Sequence, residues 1–456
     1  MTQNRAVRVV ATGARLLVGV AVVVGCVLGV SAAVALPWPE IAREPAQVAV
    51  TPTPGDTTLV CTGDFRAVGR NAENAAQQVS AGTPDFTVDS SGPRESSELV
   101  SADLPDTPGP QRLVGSAERG EAALIAAAES ISLESTDLSG LAAAPCRETR
   151  TESWLVGGTV QTGTNDLIIL SNPGDVTATA TLVVYGIDQT ATTTLIPAGT
   201  QLSVPLASIA AGAQEPIVRI TAAGAPVRAV LQSSLIRTLD PSGIDLQDSA
   251  PAPRSELSFA GVQVVSKSED TGLTVMRLMA TDQATRARIT VRSGGAEVQQ
   301  FNVPLEATTP TEVSVDGLDA GVYSIEIDAD APLVGAVRQT TGVGPGSDFA
   351  WTPAAEAIRG EILVAVPNGP GPRLHLVNTQ DADAKVTLTP ADGGDGEEIF
   401  VPAHGDAVAD VSADTAYSLS TDQQIQAAVT LSGTDELAGW PLSPGTAAQP
   451  PIIVYP

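Results

Sequence analysis

Two histidines, three cysteines and one acidic, glycine-bearing loop hold most of the chemical options in this 456-residue sequence. Histidine is the commonest general base, and it must lie within hydrogen-bond reach of the group that it activates. His375 stands between Leu374 and Leu376 on an alternating strand, which predicts that it points to solvent, away from two core residues. His404 falls in a Pro402-Ala403-His404-Gly405-Asp406 turn. Neither has a Ser or Cys beside it in a nucleophile-elbow context, and the sequence carries no G-x-S-x-G, P-loop or dinucleotide fingerprint. Zinc-type His/Cys spacing is absent as well. The 52 acids make many accidental carboxylate pairs, but 3% aromatic residues provide few walls for a glycosidase. The expectation is a protein that is not an enzyme.

The cysteines divide by position. Cys26 lies inside an apolar leader, whereas Cys61 and Cys146 both follow it. An oxidising compartment favours a disulfide between Cys61 and Cys146, with no histidine before His375 to suggest a metal instead. Closing a loop of about 85 residues contributes roughly 4 kcal/mol in the chain-entropy account. The metal candidate is the loop Asp392-Gly393-Gly394-Asp395-Gly396-Glu397-Glu398. Its carboxylates Asp392, Asp395, Glu397 and Glu398 are of the type that binds calcium, though the order differs from an EF-hand, and a solvated hairpin tip is the competing reading. Asp328-Ala329-Asp330 and Asp381-Ala382-Asp383 occupy similar turn-like places.

These residues must be positioned by the rest of the chain, and composition says where that chain works. Arg5, Arg8 and Arg15 precede an uncharged stretch from Leu16 to Leu36. That length spans a hydrocarbon core of about 30 Å with the N-terminus in the cytoplasm. A cleaved signal peptide ending at Ala33-Val34-Ala35 is the alternative, giving a secreted protein. Both place everything after Pro37 outside the plasma membrane. Without the three leader arginines the balance is 21 basic against 52 acidic residues, a net of −31. Such a field keeps the exported part soluble and disfavours nucleic acid and anionic lipid surfaces.

The exported part divides into segments. Residues 37–56 form a Pro-rich spacer, and 57–152 a region bracketed by the cysteines. Within that region Glu118 to Ser130 reads equally as helix or strand. From Ser153 onward the chain repeats. Ala178, Ala180 and Leu182 after Asn172 match Ala384, Val386 and Leu388 after Asn378, and Ala287, Ile289 and Val291 alternate at the same stage of a middle unit. Pro226-Val227-Arg228-Ala229-Val230-Leu231 likewise resembles Pro332-Leu333-Val334-Gly335-Ala336-Val337. Period-two alternation with Gly, Pro, Asn and Asp turns predicts an all-β protein, with tandem immunoglobulin-like antiparallel β-sandwich repeats after one N-terminal transmembrane helix. The repeats run 153–239, 255–341 and 358–433, followed by a Pro-rich tail, 434–456. The segments 240–254 and 342–355 read as connectors. Trp351 and Trp440 read as plugs at domain junctions, and Ile452 to Tyr455 as a returning edge strand. Three such units end to end would reach on the order of 60–100 Å.

The early Leu59-Val60-Cys61, the late Ala144-Pro145-Cys146, Glu152-Ser153-Trp154-Leu155-Val156-Gly157-Gly158 and Leu170-Ser171-Asn172-Pro173-Gly174 resemble, together with the anchor, an actinobacterial family of exported proteins labelled only as a domain of unknown function. The resemblance implies a cell-envelope protein and supplies no catalytic residues. Two expectations follow. One is a non-enzymatic, single-pass scaffold or adaptor with envelope proteins as partners. The other is an array that binds wall polymer or glycan, with calcium assisting.

Overall fold

The computed structural model describes residues 3–35, 48–50, 54–74, 76–105, 107–118, 120–265, 272–444 and 452–454. Most of the expected spacer lies outside the described residues, as do residues 445–451 and 455–456 of the tail. The chain forms two compact units, Met1–Thr51 with Pro450–Pro456, and Pro52–Gln449. In the first, α1 (Gln3–Ala35) contains a span, Arg15–Val34, that is long and apolar enough to cross a membrane. β1 (Val48–Val50) follows it.

The second unit is almost entirely β. Its N-terminal region holds β2 (Thr57–Val60), β3 (Phe65–Val68), β4 (Gln78–Gly82) and β5 (Asp85–Ser90). There follow β6 (Arg94–Glu98), β7 (Val100–Ser101), β8 (Gln111–Gly115), β9 (Ile125–Glu134) and β10 (Ser139–Pro145). The ambiguous Glu118–Ser130 stretch thus ends in a strand, and β9 pairs with both β5 and β10. Its alanines pack both ways because successive side chains on a strand alternate. Ala127 lies against the Cys61–Cys146 disulfide, and Ala128 joins the core of the last repeat. That disulfide fastens the end of β2 to the end of β10, and so joins two sheets over a small cluster of Leu59, Leu113 and Ala127.

Three sandwiches follow. The first has β11 (Glu152–Val156), β12 (Thr164–Asn172), β13 (Ala178–Tyr185) and β14 (Thr190–Ile196). It continues with β15 (Thr200–Pro205), the short α2 (Leu206–Ile209), β16 (Ile217–Ala223), β17 (Arg228–Arg237) and β18 (Asp240–Asp248). The second has β19 (Arg254–Val264), β20 (Thr274–Ala280), β21 (Thr285–Ser293) and β22 (Ala296–Leu305). Then come β23 (Thr311–Ser314), β24 (Gly321–Thr340) and β25 (Phe349–Pro353). The third has β26 (Ile358–Val366), β27 (Arg373–Asn378), β28 (Ala384–Pro390) and β29 (Glu397–Val401). It ends with β30 (Gly405–Asp410), β31 (Thr415–Ser432) and β32 (Leu437–Pro441). Finally β33 (Ile452–Val454) pairs antiparallel with β1.

One pairing scheme serves all three. In the first repeat β11-β16-β13-β14 form one sheet and β18-β17-β12-β15 the other, with β7 added in parallel at the edge. In a constant-type immunoglobulin sandwich the first strand lies with the second and fifth, and the last with the third and sixth. Here the first and seventh have exchanged sheets, and the fourth lies beside the third. Between the sixth and seventh strands the chain turns a corner into the other sheet instead of reversing. In β24 and β31 the two strands have merged, so that residues 324–329 pair with β21 while 333–339 pair with β20. The alternating residues of the repeat motif fill the cores: Ala178, Ala180 and Leu182, then Ala287, Ile289 and Val291, then Ala384, Val386 and Leu388.

The supposed connectors are strands. β18, β25 and β32 are an eighth strand in each repeat, so the boundaries at 239, 341 and 433 fall one strand short. The units are also not strung end to end. The outer face of the β12 sheet covers the N-terminal region through Phe65, Ala142, Ile169 and Val230. The β20 sheet covers the first repeat through Trp154, Ile217, Met279 and Ala336. The β27 sheet covers the second through Ala260, Val377 and Ala428. The third repeat then returns to the N-terminal region, where Ser130 donates to the Asn368 carbonyl at 2.6 Å and Ser132 to Glu436 at 2.8 Å. The N-terminal region and the three sandwiches therefore close on themselves, contrary to the extended array expected above.

Candidate functional site

Closure is fixed at a buried aspartate. Asp348, just before β25, accepts the backbone N–H of Leu141 at 2.8 Å, Ile244 at 3.2 Å and Leu437 at 3.0 Å. These amides belong to the N-terminal region, the first repeat and the third, so one carboxylate of the second repeat touches all the others. Burial pushes the Asp348 carboxyl up to about 7 despite those donors. Asp245 on β18 accepts the Trp351 amide at 2.9 Å, and burial raises its carboxyl well above the ordinary range. These groups are structural: their oxygens are occupied by main chain.

The histidines do not make a site either. Ile169, Arg277 and His375 hold the same register position, opposite Val230, Ala336 and Ala428 on the outer face of the second strand of each repeat. His375 was expected at solvent, but it is buried, because that face is covered by the preceding repeat. Its Nε2 lies 2.9 Å from the Thr430 hydroxyl, and burial lowers its pKa to about 4. Gly261, at φ +71°, makes room for the ring: a Cβ there would lie 2.5 Å from His375 Cδ2. His404 sits in its turn at φ +52°, exposed, beside Asp381 at 2.9 Å.

The calcium candidates are not gathered. Asp392 accepts the Gly394 amide at 3.3 Å, and Glu398 is ion-paired to Lys385 across the β28–β29 ladder. Glu397 and Glu398 are successive strand residues, so their side chains leave opposite faces. Asp392, Asp395, Glu397 and Glu398 are all exposed, and no group of three His, Cys, Asp or Glu able to hold a metal occurs among the described residues.

Functional side chains do converge where the first and second repeats meet, around a cavity of about 490 Å³. Arg277, in the middle of β20, faces Glu312 of β23 as a cross-strand pair, with its Nη2 2.7 Å from Oε1. Its Nη1 donates to the carbonyls of Gly158 (2.7 Å) and Pro216 (3.0 Å), and its Cζ lies 4.8 Å from the Trp351 ring centroid. Asp166 of β12 accepts the Thr159 amide at 2.6 Å, and burial pushes it up to about 7. The approach requires glycine at 158, where φ is +73° and a Cβ would lie 2.8 Å from Asp166 Oδ2. Glu215 lies beside Glu312, and burial first, then the charge of Glu312, raises its pKa. Arg338 of β24 stands opposite Trp351 in the ladder and lines the same cavity with Arg237 of β17. Neither Arg237 nor Arg338 has an ion pair among the described residues.

Sequence reasoning passed over this cluster. A signal was present: Arg277 shares its strand face with Val275 and Met279, in a run whose other face carries Met276 and Leu278. A strand apolar on both faces is buried on both, so an arginine within it needs internal partners. Trp351 and Trp440 are buried on their eighth strands, Trp351 in the junction of the first two repeats and Trp440 in the core of the third.

Residues 100–422 match the Family of unknown function (DUF5719), and the chain belongs to that family. No curated protein matches it. Among solved structures, a tetra-tandem repeat in the extending region of a large adhesion protein is similar at 13% identity, covering 89% of this chain and 95% of that one, with a TM-score of 0.12. The chicken CNTN1 FN1-FN3 domains are similar at 7% identity, covering 62% and 95%, with a TM-score of 0.10. At such scores neither likeness informs function.

Proposed function

We propose that the protein is a non-enzymatic, extracytoplasmic scaffold or adaptor of the cell envelope, held at the plasma membrane by its N-terminal helix. The observation that carries this reading is the closure of the N-terminal region and three sandwiches around Asp348. The buried acids Asp348 and Asp245 hold main-chain amides of neighbouring units, Glu129 holds those of Thr62 and Gly63 in its own region, and the three do not converge on a reacting atom. A closed β body with a strongly acidic composition suits rigid, soluble display. The Cys61–Cys146 disulfide supports export, and the resemblance to actinobacterial exported proteins agrees with it.

The test is topology in cells. The full-length chain should stay in carbonate-washed membranes, be cut by protease added outside, and have Cys61 and Cys146 oxidised. A reduced chain in the cytoplasm contradicts the proposal.

A second reading, binding of wall polymer or glycan, is favoured by the cavity between the first two repeats. Co-sedimentation of the full chain with isolated cell walls tests it: saturable binding supports the reading, and none overturns it.

A further inference from the structure

The chain has 52 acidic residues for 24 basic ones, so an arginine without an acid needs an explanation. Neither Arg338 nor Arg237 makes an ion-pair contact among the described residues, and both line the same cavity. Arg277 is not available to a ligand, since Glu312 and two carbonyls already occupy it. Arg338 is largely buried and its Nε makes no hydrogen bond; the nearby charge of Glu312 favours its guanidinium, whereas Arg237 and Arg277 repel it. A largely buried guanidinium whose nearest acid, Glu312, is already paired to Arg277 has room for an anion, and its planar fork suits a carboxylate or phosphate.

The remaining walls select between those anions. Glu215, Glu312 and Asp166 line the same space and disfavour a multiply charged guest. Thr159, Thr164, Gln161 and Gln214 offer neutral hydroxyl and amide groups, while Phe349 and Trp351 add apolar surface. A single negative charge among many hydrogen-bonding partners and a flat apolar side describes an acidic sugar. The volume lies within the range of small-ligand pockets.

We propose that this cavity binds a carboxylate-bearing saccharide, with Arg338 and Arg237 receiving the carboxylate and the Thr and Gln side chains receiving hydroxyls. The inference rests on the second reading above and names its ligand class.

The experiment is calorimetric titration of the detergent-solubilised full chain with D-glucuronate, D-glucose and inorganic phosphate. Glucuronate should bind at one site per chain, at least about tenfold more tightly than glucose or phosphate. Arg338→Gln should weaken glucuronate about tenfold or more while leaving glucose nearly unchanged. Glu215→Gln, which removes a competing negative group and leaves Arg338 in place, should tighten glucuronate about threefold, and it serves if the arginine variant does not fold. Equal binding of glucose and glucuronate, stronger binding of phosphate, or indifference to both variants overturns the assignment. A blank titration alongside wall co-sedimentation that R338Q leaves intact overturns the cavity while wall binding stands. Blank results in both remove the two together.

Discussion

The Asp348 carboxylate accepts the Leu437 amide at 3.0 Å, across 89 residues of sequence, and so ties the second repeat to the third. The same oxygen accepts Leu141 at 2.8 Å. Asp348→Asn replaces one acceptor oxygen with a donor, so at least one of the three amides loses its partner. A buried donor left unpaired costs about 1–3 kcal/mol. Denaturant unfolding should show that loss. Amide exchange should rise first at Leu141, Ile244 and Leu437, while the sandwich cores stay protected. Uniform exchange across the N-terminal region and all three sandwiches would contradict a localised role.

Eighth strands are core elements in this account, so Trp440 belongs to the stability of the third repeat. It is 2% exposed and packs with Ile362, Val429 and Leu442. Trp440→Ala should destabilise by about 3–5 kcal/mol. A variant as stable as the parent would return 434–442 to the status of a tail.

The disulfide joins two sheets of the region with the smallest core. Cys61→Ser with Cys146→Ser should destabilise the protein by about 2–5 kcal/mol and expose the N-terminal region to protease before the repeats. Even digestion of all units would contradict this order.

Acid dependence has two opposing parts. Folded His375 resists a proton until about pH 4, whereas the unfolded chain binds one near 6.5. Stability from this group is therefore present above 6.5 and lost as pH falls toward 4. Asp166 and Asp348 behave oppositely. Their folded pKa values of about 7 exceed the ordinary carboxylate value, so their contribution is full below about 4 and is lost as pH rises toward 7. His375→Gln should flatten the loss between pH 6.5 and 4, and Asp166→Asn the loss between 4 and 7, both read from Tm against pH. Parallel curves for parent and variants would refute these assignments.

Exposed, unconverged carboxylates at 392–398 should leave Tm and far-UV spectra the same in calcium and in chelator. A calcium-dependent rise in Tm abolished by Asp395→Asn would contradict the geometry.

The sandwiches were legible because period-two alternation survives in single strands: Ala178, Ala180 and Leu182 face a core whatever surrounds the repeat. The Cys61–Cys146 pair was legible because only two cysteines follow the leader. The closure was not. Turn-rich composition made 240–254 and 342–355 read as linkers, since Pro241 and Gly243 weaken any strand pattern, although both lie inside β18. His375 was read as solvent-facing because alternation reports which residues share a face, not what covers it. The cavity was hidden for the same reason: Asp166, Arg277 and Arg338 come from three strands in two repeats, and only their junction brings them together.

The most direct test of a closed, extracytoplasmic body uses Ser132 and Glu436, whose side chains hydrogen-bond between the N-terminal region and the third repeat. Full-length protein carrying Ser132→Cys and Glu436→Cys, with Cys26→Ser to remove the remaining thiol, would be treated in intact cells with a membrane-impermeant, short-spacer bis-maleimide. The account predicts an intramolecular crosslink between positions 132 and 436, mapped by peptide mass. Cysteines that react singly without linking would contradict closure, and cysteines that stay unmodified until the cells are lysed would contradict the extracytoplasmic location.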